Sequence, residues 1–233
     1  MARVRRLVTT RAGGASRPPY DGFNLGRSCG DDPVAVQANR AQLAGAIGLT
    51  PDRLVFMRQV HGAAVHVVQA APATPPLGDG LVTSRPGLAL VALAADCVPV
   101  LMADRSSGVV AVAHAGRRGA AAGIATATLQ TMVDLGADPG RIDVLLGPAI
   151  CGACYEVPAD LQAEVAEALP GSATTTRQGT PGLDLRAGLA RALAAAGVSA
   201  VVVDPACTAE DPRFYSYRRD GVTGRFAGVA WVE

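Results

Sequence analysis

Short apolar runs with strand composition alternate with helical patterns along the chain, and this alternation restricts the fold more than any other feature. It specifies an α/β class. Residues 5–9 read as an opening strand, followed by a glycine- and proline-rich loop at 13–30. Asp32 then caps a helix that begins at Pro33, the favoured first position for proline, with Val36, Leu43 and Ile47 as its apolar stripe. Further strands are expected at 54–57, 65–69, 88–93, 98–102, 109–113 and 142–146, with a helix at 119–135 before the last of these. Helices at 159–168 and 185–195, a loop at 174–182 and short strands at 201–203, 214–218 and 226–231 complete the reading. No internal repeat or linker stands out, so residues 1–233 are expected to form a single domain.

Composition removes several function classes. All 21 basic residues are arginine, so no lysine Schiff base, phosphate-loop lysine or lysine general base is available. A net charge of +1 gives no electrostatic case for nucleic acid or an acidic membrane. The most apolar stretch, 88–103, is interrupted by Asp96 and is shorter than the roughly 20 residues of a membrane span. The arginine-rich start at Arg3, Arg5 and Arg6 leads into no apolar signal segment. Five cysteines, an odd number, do not form a secreted disulfide framework, and the expected setting is cytoplasmic with reduced thiols.

Three residues have the chemistry of metal ligands and fall at strand ends, where open α/β sheets collect functional groups. They are His61 in Gln59-Val60-His61-Gly62, Cys97 in Ala95-Asp96-Cys97-Val98, and His114 in Ala113-His114-Ala115-Gly116. Two neutral imidazoles and a thiolate would leave zinc a fourth position for water, as catalytic sites do. The spacing is not diagnostic, and a cysteine among apolar residues is more often core filler. His66, between Val65 and Val67, is read as structural or solvent-facing. The Gly116-Arg117-Arg118-Gly119 turn opens a helix and suits either an oxyanion or plain solvent. Cys151-Gly152-Ala153-Cys154 is a lone two-residue spacing, read as a loop that holds two thiols. Asp79-Gly80 reads as a turn.

Taken in order, Thr9-Thr10-Arg11-Ala12-Gly13-Gly14, Asn24-Leu25, Asn39-Arg40, Gln59-Val60-His61-Gly62, Asp79-Gly80-Leu81-Val82-Thr83, Ala95-Asp96-Cys97-Val98-Pro99-Val100, Ala113-His114-Ala115-Gly116-Arg117-Arg118-Gly119 and Gly147-Pro148-Ala149-Ile150 resemble the laccase-domain (YfiH-like) family. These proteins were once called polyphenol oxidases and later described as purine nucleoside phosphorylases. The resemblance implies one α/β domain of layered mixed sheets flanked by helices, in the order α/β/β/α. It also implies zinc on His61, Cys97 and His114, with copper as an alternative occupant, and no resident partner beyond small molecules or a homodimeric copy. The implied reactions are phosphorolysis of adenosine, inosine, guanosine and methylthioadenosine, and deamination of adenosine. On the same ground Arg40 and Arg58, then Asn24, Arg11 and Arg118, are the substrate and phosphate contacts.

The family often carries tryptophan where this chain has Arg117, which exchanges an aromatic wall for positive charge. Three histidines are too few for a multicopper oxidase, so phenol oxidation would rest on a single copper and be a minor activity. The chain also lacks the His-x-Glu half of the zinc deaminase signature. A rival reading makes Cys97 the nucleophile of a hydrolase that edits peptidoglycan precursors, with His114 as base and Asp96 or a carbonyl orienting it. A non-enzymatic binding module is the third.

Overall fold

The computed structural model describes residues 3–233. The chain runs through β1 (Val4–Val8), α1 (Pro33–Ala46), β2 (Leu54–Phe56), β3 (Val65–Val67), β4 (Gly80–Thr83), β5 (Ala89–Ala94), β6 (Val98–Asp104) and β7 (Val109–Ala115). It continues through α2 (Arg117–Ala121), α3 (Ile124–Asp134), β8 (Ile142–Leu146), α4 (Ala159–Ala168), β9 (Ala173–Thr175) and β10 (Pro181–Leu183). The last elements are α5 (Leu185–Ala195), β11 (Ala200–Val203), α6 (Tyr217–Asp220) and β12 (Phe226–Val232). Six strands form one mixed sheet in the order β11-β8-β6-β7-β4-β3, four form a second in the order β1-β12-β5-β2, and β9 and β10 make a separate hairpin.

The layering follows from the two-residue period of a strand, which sends alternate side chains to opposite faces. In β6, Val100 and Met102 enter the core shared with α3 and α5, while Leu101 and Ala103 enter the core between the two sheets. In β5, Leu90 and Ala92 face that central core, while Ala89 and Val91 pack with Leu43 and Ala44 of α1. Strands sandwiched on both faces are apolar along most of their length, which is why β6 before Asp104 and β7 before His114 read as continuous apolar runs. Each fully buried Val, Leu or Met contributes roughly 1.5–3 kcal/mol to this packing. The result is the expected α/β/β/α order. Among the described residues, no helix is long and apolar enough to cross a membrane.

Several local expectations need correction. The helix expected over 119–135 is two helices, because Gly123 at φ +82° breaks the register between α2 and α3. The segment 214–218 is not a strand: the Ser216 side chain accepts the Arg219 N–H and starts α6. Within the loop expected at 174–182, residues 174–175 and 181–182 pair as the β9–β10 hairpin, and 176–180 form its turn. The Asp79-Gly80 turn opens strand β4, which pairs with both β3 and β7.

Candidate metal centre

Two loops and one strand converge at one end of the large sheet. His114 is the penultimate residue of β7, paired with Pro99 of β6. Cys97 closes the tight β5–β6 connection, and His61 lies between β2 and β3. One donor atom from each of His61, Cys97 and His114 lies within 4.8 Å of the others. The Cys97 Sγ is 3.9 Å from His61 Nε2, and the two imidazoles meet edge to face with centroids 4.8 Å apart. Burial opposes ionisation of the Cys97 thiol, yet His114 and His61 bring its pKa down to about 6. Burial likewise disfavours the His114 imidazolium, but the Cys97 thiolate and the Asp79 carboxylate carry its pKa up to about 9.

Asp79 organises the site, and the sequence reading assigned it no role there. Its Oδ1 lies 2.8 Å from His114 Nδ1, and its backbone carbonyl accepts the His114 N–H. The same carboxylate accepts the backbone N–H groups of Val60, His61 and Gly62 at 2.8–3.1 Å. It is fully buried, and these donors outweigh that burial and hold its pKa below the ordinary carboxylate value. A carboxylate on Nδ1 leaves Nε2 as the free lone pair, the arrangement that orients a metal-binding histidine. Asp79 also stabilises the turn that places His61 at φ +59°, a conformation rarely taken by a non-glycine residue.

Asp96 adopts φ +90° immediately before Cys97. Its Oδ1 accepts the Thr208 hydroxyl and its Oδ2 the Arg218 N–H, both at 2.6 Å, while its carbonyl accepts the Ile150 N–H. The strained turn that presents the thiol is therefore anchored from two distant segments. Asp79, not Asp96, orients the imidazole.

Donor chemistry and space both fit a metal ion. Two imidazole nitrogens and one sulfur are a zinc or copper donor set. A Cβ on Gly116 would stand 2.6 Å from His61 Cδ2 and 2.9 Å from Cys97 Sγ, so the donors can close together because this position has no side chain. Gly116 itself has ordinary extended dihedrals, so alanine there meets no backbone penalty. Gly116→Ala is expected to displace both donors and sharply reduce metal retention. The accompanying stability loss should be about 1–3 kcal/mol, checked by metal analysis beside thermal unfolding.

The three donors open into a cavity of about 740 Å³. Arg27, Arg40, Arg58, Arg117, Arg218 and Arg225 line it, with Asp96 as the one lining carboxylate among the described residues. Backbone carbonyls hold the guanidinium groups of Arg40, Arg218 and Arg225. Among the described residues, Arg27, Arg58 and Arg117 have no such tie. Arg40 also stacks over Phe56 at 3.6 Å, and its burial and the nearby Arg27 lower its pKa to about 10. Phe56, Tyr155 and Tyr217 line the same space, so aromatic surface is present although Arg117 replaces tryptophan.

Of the expected contacts, Arg40 and Arg58 face the cavity, whereas Asn24, Arg11 and Arg118 do not line it. Asn24 is fully buried and bonds Asp31, Gly26 and the Arg225 N–H. Arg11 pairs with Asp21 and lies over Tyr215, and Arg118 is exposed. His66 bonds the Leu77 carbonyl at 2.9 Å, away from the donor triad, as expected for a structural residue.

Two layered sheets between helices, with a His–Cys–His donor set open to an arginine-lined cavity, define a class of α/β/β/α proteins with a candidate metal centre. The chain belongs to the laccase-like family whose model is described as multi-copper polyphenol oxidoreductase laccase, which matches residues 5–233. It is 56% identical to a protein named purine nucleoside phosphorylase from Mycobacterium tuberculosis, over 99% of this chain and 93% of the relative. A relative of the same name from Corynebacterium glutamicum is 52% identical over 98% and 94% of the two chains. Among solved structures, hypothetical protein YfiH of Bacillus licheniformis superposes with TM-score 0.92 at 32% identity, covering 99% of this chain and 93% of its own. YlmD from Geobacillus stearothermophilus gives 0.91 at 34% identity, with coverage of 99% and 92%.

Proposed function

We propose that the chain is a zinc-dependent purine nucleoside phosphorylase that splits adenosine, inosine, guanosine and methylthioadenosine with phosphate, and that also deaminates adenosine. The observation that carries this reading is the meeting of three features in one cavity: the His61–Cys97–His114 donors, six arginines against one carboxylate, and three aromatic rings. The name shared by the curated relatives supports the phosphorolytic reaction.

Each part has a physical task. Arg58, Arg27 and Arg117 project charge without a backbone carbonyl to satisfy it, which suits them to hold a phosphate dianion through charge-assisted hydrogen bonds. Tyr155 and Tyr217 offer faces for the purine. His61, Cys97 and His114 hold the ion, and Asp79 fixes the ring of His114. Zinc held there supplies Lewis acidity and lowers the pKa of bound water. Deamination requires a proton carrier, and both oxygens of Asp96 are engaged by Thr208 and Arg218. The arginines suited to phosphate and the name of the relatives make phosphorolysis the main reaction of this reading and deamination a side reaction. Copper in the same donors would be a single ion, and phenol oxidation correspondingly minor.

One arrangement favours a second reading. Asp79, His114 and Cys97 form a carboxylate–imidazole–thiol series that also serves cysteine hydrolases, including the precursor-editing amidase, with Asp79 in the orienting role. Metal-loaded protein incubated with adenosine is expected to release adenine and ribose 1-phosphate with phosphate present, with a little inosine in either case. Cys97 is expected to resist iodoacetamide until a chelator removes the metal. Immediate alkylation with no metal requirement would establish the hydrolase reading, and untouched adenosine would eliminate the phosphorylase.

A further inference from the structure

A second group of donors lies outside the cavity. Cys151 and Cys154 sit on the connection from β8 to α4, and Cys207 and Glu210 on the segment from β11 to α6. One donor atom from each of these four residues lies within 4.8 Å of the others, and none belongs to the His61–Cys97–His114 set. We propose that Cys151, Cys154, Cys207 and Glu210 form a second, structural zinc site.

Both halves have the local form of a chelating turn. In each, two residues separate the donors, and the N–H of the second donor residue bonds the carbonyl of the first at 3.0 Å: Cys154 to Cys151, and Glu210 to Cys207. A two-residue spacing is the short limit of the cysteine pairs that hold structural zinc. The halves are already docked on each other. Ala149 and Cys207 form a parallel bridge, and the Thr208 N–H bonds the Ala149 carbonyl. The Cys151 N–H points at the Cys207 sulfur at 3.3 Å, the kind of backbone donor that steadies a thiolate, and the Cys154 thiol reaches Glu210 Oε1 at 3.4 Å.

Charge is accommodated as well. Arg177 pairs with Glu210 and so orients the carboxylate while offsetting part of the negative charge of three thiolates. Binding forms three zinc–sulfur bonds and one zinc–oxygen bond, and the three thiol protons pass to solvent. Three sulfurs select a thiophilic ion over calcium or magnesium. Four protein donors close the coordination shell, in contrast to the three-donor centre in the cavity, so the ion has a holding role rather than a reactive one.

What it would hold is the wall of the cavity. Ile150, next to Cys151, bonds the Asp96 carbonyl, and Thr208, next to Cys207, bonds the Asp96 carboxylate. The two segments the ion joins are thus among those that anchor the strained turn before Cys97.

The test is zinc content and thiol reactivity of the full chain purified under reducing conditions. Wild type is expected to carry about two zinc ions and Cys97→Ala about one. The double variant Cys151→Ser with Cys154→Ser should lose the second ion and keep the cavity site. Cobalt in Cys97→Ala should still give intense thiolate-to-cobalt absorption, because three sulfurs remain. In wild type, Cys151, Cys154 and Cys207 should alkylate only after chelation, as read by peptide mass mapping, a measurement that needs no variant to fold. Absence of zinc from folded Cys97→Ala, alkylation of these three cysteines at one rate with and without zinc, or a Cys151–Cys154 disulfide would each overturn the proposal.

Discussion

Alanine at His61, Cys97 or His114 is expected to strip the cavity metal and lower nucleoside phosphorolysis at least about a hundredfold, equivalent to about 2.7 kcal/mol of barrier. Each substitution removes one of three donors that lie within 4.8 Å of one another, and the two that remain cannot hold the ion in an open site. His66→Ala supplies the control. Its ring bonds the Leu77 carbonyl from a strand at the sheet edge, so the change should cost about 0.5–1.5 kcal/mol of stability and leave metal content and turnover unchanged. Metal analysis and adenosine turnover on the four variants make the comparison. A loss with His66→Ala equal to that with His114→Ala would mean that the donor set is misassigned.

The second large effect is expected from Asp79→Asn. One carboxylate serves the His114 ring and three successive backbone N–H groups, and an amide oxygen cannot replace both carboxylate oxygens. Whichever way the amide turns, an NH2 group faces a donor. Stability should fall by about 3 kcal/mol or more, as when one partner of a buried charged pair is lost. Metal affinity should fall about 10- to 100-fold, the usual cost of losing the group behind a ligating histidine. Metal titration of the folded variant below its melting point separates the two effects. Wild-type affinity in a merely destabilised protein would reduce Asp79 to a structural role.

Much of this was legible in the sequence because the signals were local. The Asp32–Pro33 start of α1, the limits of α4 and α5, and the three donor motifs depend on neighbours within a few residues. The α/β/β/α order entered through the resemblance. Asp79 was not legible as a positioning group: Asp-Gly looks like any turn, and its partner His114 is 35 residues away. The aromatic-rich run Phe214-Tyr215-Ser216-Tyr217 has the composition of a strand, which concealed Tyr217 and Arg218 as cavity residues. Cys151 and Cys154 looked like an isolated pair because Cys207 lies 56 residues beyond Cys151. Asn24 and Arg11 sit in strings that resemble family motifs, yet both are engaged within the N-terminal loop region and with the segments packed on it.

The position of β12 has a consequence for how the molecule comes into being. Strand β12 follows β1 and β5 by more than 120 residues yet lies between them inside the four-stranded sheet, and Tyr217, Arg218 and Arg225 just ahead of it finish the rim of the cavity. A nascent chain short of β12 has an open seam between its first strand and β5, so such contacts between remote segments can form only late. The three donors are synthesised well before β12, but the pocket around them closes only once that strand has joined the sheet.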